Sequence, residues 1–229
     1  MKKRITTLIL ATTFIFSSSL PAFAVPVDTN VFNSAEVNVV KAKDFTLMVK
    51  NTEDQCVVKV DYGDHYEIAT RVIGTNSVTV QTFDSNDNMI SEKDFTISEP
   101  QQAAETRAIG DYQHTWSNYE YDIDTIDSGR HESWECRREN DYKTRTRYEG
   151  SSIADRLDLW RDSVDDIDGY EKKVAFYTSA TIAKMAIEAY FTAGTASAFT
   201  YLAGSAKALS SMTKLIDEMD NADRIFDRL

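Results

Sequence analysis

Asp84, Asn86 and Asn88 are spaced like the opening of a calcium-binding loop, in which side-chain oxygens at alternate positions ligate the ion. That loop also needs a Gly at its sixth position and a bidentate Glu at its twelfth, and here those positions hold Met89 and Phe95. The segment therefore reads as a hairpin turn. His114, His131 and Cys136 are zinc-ligand types, but their spacing fits no zinc pattern, and Cys56 lies 80 positions before Cys136. Glu132, Glu135 and Asp141 have the chemistry of a glycosidase carboxylate pair. In a chain with 37 Asp and Glu residues such neighbours arise from composition alone. There is no nucleophile elbow, zinc-protease helix, phosphate loop or dinucleotide fingerprint. The sequence predicts no catalytic residue, no bound metal and no cofactor.

Arg137, Arg138, Lys143, Arg145 and Arg147 form a basic cluster interleaved with Tyr142 and Tyr148. Alternation along a strand puts Arg145 and Arg147 on one face. There they can meet an anionic wall polymer, a headgroup, or the acidic helical segment 155–168. The intramolecular partner is favoured, because opposite charge is already at hand. Tyr142, Arg145 and Arg147 remain the candidate binding surface. Cys56 and Cys136 allow one disulfide in an exported protein, the alternative being two buried or unpaired thiols.

Several kinds of element must carry these residues. Between Val37 and Ile97, short β-rich runs such as Phe45–Val49, Cys56–Val60 and Ser77–Phe83 alternate with turn clusters, the pattern of an antiparallel meander. Residues 25–98 read as that β-rich module. Residues 99–111 are small and polar, a linker signal and the expected domain boundary, with Arg107-Ala108 as an alternative processing site that would make the module a pro-region. Strands resume over 112–150, richer in aromatic and charged residues, and one apolar face of a three-stranded sheet needs a cover. The cover is expected from residues 151–229. Ile153, Leu157, Trp160, Val164 and Ile167 recur at helical spacing. Gly169 is expected to interrupt that helix. A second then runs from Tyr170 to Ala193, and after a break at Gly194-Thr195 a third runs from Ala196 to Phe226, the last two forming an αα-hairpin. The fold class is α+β.

Lys2, Lys3 and Arg4 precede an apolar stretch, Leu20-Pro21 breaks it, and Ala22-Phe23-Ala24 supplies small residues for a signal peptidase. Cleavage after Ala24 and release from the cell are expected; the stretch is short for a membrane anchor, and no cysteine marks a lipoprotein. The whole chain carries a formal charge of −12. Removing residues 1–24 takes away three basic residues and no acid, which leaves 22 against 37, or −15. Such an excess repels nucleic acid and anionic lipid at long range.

Val174 to Thr213 spans 40 residues with only three charges, Lys184, Glu188 and Lys207. Ala196, Thr200, Gly204 and Ala208 form a small-residue ridge that lets helices approach closely. Either the segment is a buried pair in the folded protein, or it is released to enter a target membrane. Insertion would cost about 2.5–3.5 kcal/mol for each of Lys184 and Glu188 near a bilayer centre, partly offset if they pair at i,i+4.

Trp116-Ser117, the run Leu159-Trp160-Arg161-Asp162-Ser163-Val164-Asp165, the Ala/Gly-rich apolar stretch and the terminal Arg228-Leu229 together resemble the secreted geobacillin-type family of large bacteriocins. The resemblance covers Trp116 to Leu229 and implies a secreted antibacterial protein without known catalytic residues. The strong acidity departs from common bacteriocin physics. The leading expectation is thus a secreted, non-enzymatic protein acting on target bacterial membranes through residues 174–213. The alternative is an extracellular or cell-envelope binding module using strands 112–148.

Overall fold

The computed structural model describes residue 32 and residues 37–98, 111–138, 141–148 and 151–229. Ala24, Arg107 and most of the expected linker lie outside the described residues. Within them the architecture is α+β, with two antiparallel sheets followed by helices.

The first sheet is a six-stranded meander: β1 (Asn38–Lys41), β2 (Thr46–Asn51), β3 (Gln55–Asp61), β4 (His65–Val72), β5 (Ser77–Asp84) and β6 (Met89–Thr96), paired in that order. Period-two alternation fixes its register. Val49 pairs with Val58, Val58 with Ala69 and Ala69 with Val80, so one row of small apolar residues crosses four strands toward the core. Asp84 closes the β5–β6 turn by accepting from the Asn88 side-chain amide (2.9 Å) and from the backbone N–H groups of Asn88 (2.9 Å) and Asn86 (2.8 Å), and these bonds, the side-chain one foremost, hold its carboxyl below the usual range. The second sheet holds β7 (Asp111–His114), β8 (Tyr119–Ile126), β9 (His131–Arg138) and β10 (Asp141–Tyr148), in the order β10-β9-β8-β7.

Four helices follow: α1 (Ala154–Tyr177), α2 (Ala180–Ala193), α3 (Thr195–Thr200) and α4 (Ala206–Phe226). This corrects the expected hairpin. Gly169 lies inside α1, because Ile167, Glu171 and Val174 around it are buried and their packing outweighs the roughly 1 kcal/mol helical penalty of glycine. The break comes later, where the Ser179 hydroxyl accepts from the Ile182 N–H (3.2 Å) and caps α2. Gly194, at φ 89°, separates α2 from α3, a backbone geometry that side chains disfavour. Ser205 caps α4 in the same way as Ser179, accepting from Ala208 N–H at 3.2 Å. The apolar segment is therefore divided among four helices instead of forming two long arms.

α1 and α4 lie antiparallel. Ser163 of α1 donates to Glu218 of α4 (2.7 Å), and Arg156 near the start of α1 donates to the Arg228 carbonyl (2.6 Å). Leu157, Trp160, Val164 and Ile167 are fully buried, as the stripe predicts. The short α3 rests on the first sheet, held at both ends by β4. The Glu67 carboxylate lies beside Gly194 and the Ala196 N–H at one end, and Arg71 donates to the Thr200 carbonyl (3.2 Å) at the other. An acid at the positive end and a base at the negative end match the helix dipole. Buried residues from both sheets and all four helices belong to one contiguous apolar cluster.

Candidate functional site

The basic cluster of the second sheet does not form a free surface. Register places Arg138, Cys136 and Trp134 of β9 beside Lys143 and Arg145 of β10 on the face that meets the helices. Arg138 pairs with Asp223 (3.4 Å) and Asp227 (3.1 Å), and its guanidinium lies 4.6 Å from the centre of the Phe226 ring. Lys143 donates to the Phe226 carbonyl and Arg145 to that of Leu229. Arg147 binds Asp158 of α1 at 2.7 Å. Tyr142 sits on the opposite face, 71% exposed. The candidate set Tyr142, Arg145 and Arg147 is thus split between two faces, and its arginines are engaged by the molecule's own helices.

The other sequence candidates are separated as well. Of the two alternatives for the cysteines, the structure has the second: Cys56 on β3 and Cys136 on β9 are free, buried thiols in different sheets, and burial pushes each up to about 12, beyond thiolate chemistry at neutral pH. His131 packs on Tyr148 and binds Asp127 (3.0 Å), on the face opposite Cys136, while His114 binds Glu120 (2.6 Å). Among the described residues no cluster of metal-ligating side chains occurs.

The membrane-acting reading of residues 174–213 is overturned. Among the described residues no helix is long and apolar enough to cross a membrane. Ala196, Thr200 and Ala208 are buried in the fold, while Gly204 is exposed in the turn before α4. Lys184 lies over the Trp116 ring (4.9 Å) and Glu188 accepts from Thr192 (3.3 Å), so neither is arranged as an insertion pair. Antibacterial action by an inserting hairpin goes with it.

The structure brings together a set the sequence did not single out. Tyr170, Lys173 and Tyr177 occupy one face of α1 at spacings of three and four. Lys207, Ser210, Ser211 and Lys214 occupy one face of α4. Because the helices are antiparallel, the end of α1 meets the start of α4, and these seven residues line an open groove of about 320 Å³. The Lys173 ammonium stands 4.5 Å from the centre of the Tyr170 ring, and that of Lys207 stands 5.5 Å from the Tyr177 ring. Among the described residues, Lys173, Lys207 and Lys214 have no acidic partner, whereas the adjacent Lys172 binds Asp168 at 2.5 Å. The signal was present in each helix as a polar three-four-seven spacing. It had no meaning until the break at Ser179 set which residues of α1 and α4 face each other.

A second concavity, also about 320 Å³, lies where α4 meets Gly194 and is lined by Tyr119, Phe191, Asp220 and Asp223 among others. There Asp223 already accepts from the Tyr119 hydroxyl (3.0 Å) and pairs with Arg138.

Between groove and sheet sits Glu171, 1% exposed. It accepts from the backbone N–H groups of Trp116 (2.7 Å) and Ser117 (2.8 Å) and from the Ser117 hydroxyl (2.7 Å). Burial raises its carboxyl to about 7 against the pull of those three bonds. It anchors the β7–β8 turn to α1 immediately behind Tyr170.

Comparison with known protein families, with curated proteins and with solved structures finds no match to this chain.

Proposed function

We propose that this protein is a binding module whose ligand is anionic and occupies the groove between the end of α1 and the start of α4. The observation that carries the reading is that Lys173, Lys207 and Lys214 line one groove with no acidic partner among the described residues, in a chain with 12 more acids than bases. Lys59 and Lys184 also lack an acidic partner among those residues, but they stand on β3 and α2, whereas these three lysines line one groove. Three ammonium groups lining one groove with no acidic partner repel each other, and Lys207 also opposes the positive end of the α4 dipole. An anion in the groove relieves both penalties. The tyrosine and serine hydroxyls beside them add neutral donors.

The binding is placed outside the cytoplasm on the strength of Lys2–Arg4, the apolar run and the Ala22-Phe23-Ala24 cleavage signal. The experiment is a titration of the purified protein with sodium phosphate, followed by backbone amide NMR at constant ionic strength. Saturable shifts at Lys173, Lys207 and Lys214 support the reading. Their absence, or shifts that persist when all three are changed to Gln, refutes it. Mass spectrometry of the exported form tests the location; a mature protein starting at Val25 is expected.

A further inference from the structure

Resting on the reading of the groove as an anion site, we infer that the ligand group is a compact phosphate monoester held by Lys173, Lys207 and Lys214.

Four features of the lining lead there. The first is charge: three convergent ammonium groups keep two excess positive charges around a monoanion but only one around a dianion, so a group carrying two charges is the better match. The second is donor type. The lining offers ammonium and hydroxyl hydrogens from Lys, Tyr and Ser, and no carboxylate, so an amine or guanidinium ligand finds no counter-charge there. The third is geometry. No arginine is present, and without its planar fork nothing selects a flat carboxylate in bidentate fashion. Lysines act as movable point charges around the several oxygens of a tetrahedral group.

The fourth is the surroundings. About 320 Å³ is at the low end of ligand sites and admits one small headed molecule. One turn beyond Lys214, α4 carries Asp217 and then Asp220, with Asp44 close enough to act on both. A long polyanion leaving the groove in that direction meets this acidic patch and the net negative charge of the chain. A single terminal phosphate does not. The site is therefore selective by what lies around it as well as by what lines it.

The test is a competition series on the intact purified protein, using glycerol phosphate, sodium sulfate, sodium acetate and long-chain polyphosphate, each read by NMR shifts of the groove amides at fixed ionic strength. Glycerol phosphate and sulfate are expected to bind, with acetate at least tenfold weaker. A monoester takes up its second negative charge near pH 6. The affinity ratio of glycerol phosphate to sulfate is therefore expected to rise severalfold from pH 5 to pH 7.5, a ratio in which the protein's own titration cancels. Lys207→Gln and Lys214→Gln are each expected to weaken glycerol phosphate about tenfold. Both positions are exposed, so an unchanged melting temperature confirms that the variants are folded. Acetate binding as tightly as glycerol phosphate, a flat ratio with pH, or polyphosphate binding more tightly per phosphate group overturns the monoester while leaving the anion site standing. If none of the four probes shifts the groove amides, the anion site itself is lost.

Discussion

The two ends of α4 are treated in opposite ways. At its C-terminal end Arg138 and Lys143 of the second sheet reach its last carbonyls, at Asp223 and Phe226, and Arg145 reaches that of Leu229 just beyond the helix. Positive charge there complements the negative end of the dipole and joins sheet to helix. At its N-terminal end Lys207 sits in the first turn, with Lys173 and Lys214 beside it, where the dipole disfavours a cation and no acid among the described residues compensates. The first arrangement is what folding stability selects. The second is stable only because the core elsewhere supports it, which is why we assign function to it.

The contrast is broken most severely from the closed end. Trp160 is fully buried, with its ring centre 5.3 Å from that of Phe226 and its indole N–H donated to the Glu120 carbonyl (3.1 Å). Trp160→Ala is expected to cost about 3–5 kcal/mol in urea denaturation. Next comes Glu171→Ala, which strands three donors in a buried turn and is expected to cost about 2–3 kcal/mol.

The same residue gives a pH signature. Its carboxyl is raised from 4.5 to about 7 in the fold, so between those values the native state keeps a proton that the unfolded chain has released. Stability contributed by Glu171 is complete below pH 4.5 and falls as pH rises toward 7. Wild type is expected to show a steeper loss of unfolding free energy between pH 5 and 7.5 than Glu171→Gln, and parallel profiles would contradict the assignment.

A smaller effect is expected for Arg138→Ala, about 1–2 kcal/mol, because this guanidinium is only 21% exposed and loses both acids and the Phe226 ring. Smallest is the open end. Changing Lys173, Lys207 and Lys214 together to Gln is expected to alter stability by less than about 0.5 kcal/mol, since none has an acidic partner to lose and the ring contacts of Lys173 and Lys207 are made by exposed side chains. A loss comparable to that of Arg138→Ala would show that the two ends do not differ.

Much of the architecture was legible because it depends on local pattern. Alternation marked Leu47, Val49, Cys56, Val58 and Val60 as one inward face, and the spacing from Leu157 to Ile167 marked the buried stripe of α1. The Asp84 turn was legible too, as a failed calcium loop. The helix breaks were not, since Gly169 reads as an interruption by residue type and nothing local marks Ser179 as the break, whereas packing keeps the helix through Gly169. That error joined α2 to the end of α1 and produced the false hairpin. The basic strands were correctly seen as charged, but which of their faces met the helices needed the register of β9 against β10. The groove needed two things at once, an antiparallel α1–α4 pair and a break at Ser179, and no window of sequence contains both.

The difference between the two ends of α4 is that the open one awaits an anion and the closed one does not. It is tested most directly by a thermal melt of wild type and of the Lys173, Lys207 and Lys214 triple Gln variant, each with and without glycerol phosphate at matched ionic strength. A ligand at tenfold its dissociation constant adds about 1.4 kcal/mol to the native state. Wild type should therefore melt higher with the ligand, and the triple variant should not move. No shift in wild type, or the same shift in both proteins, would contradict the account.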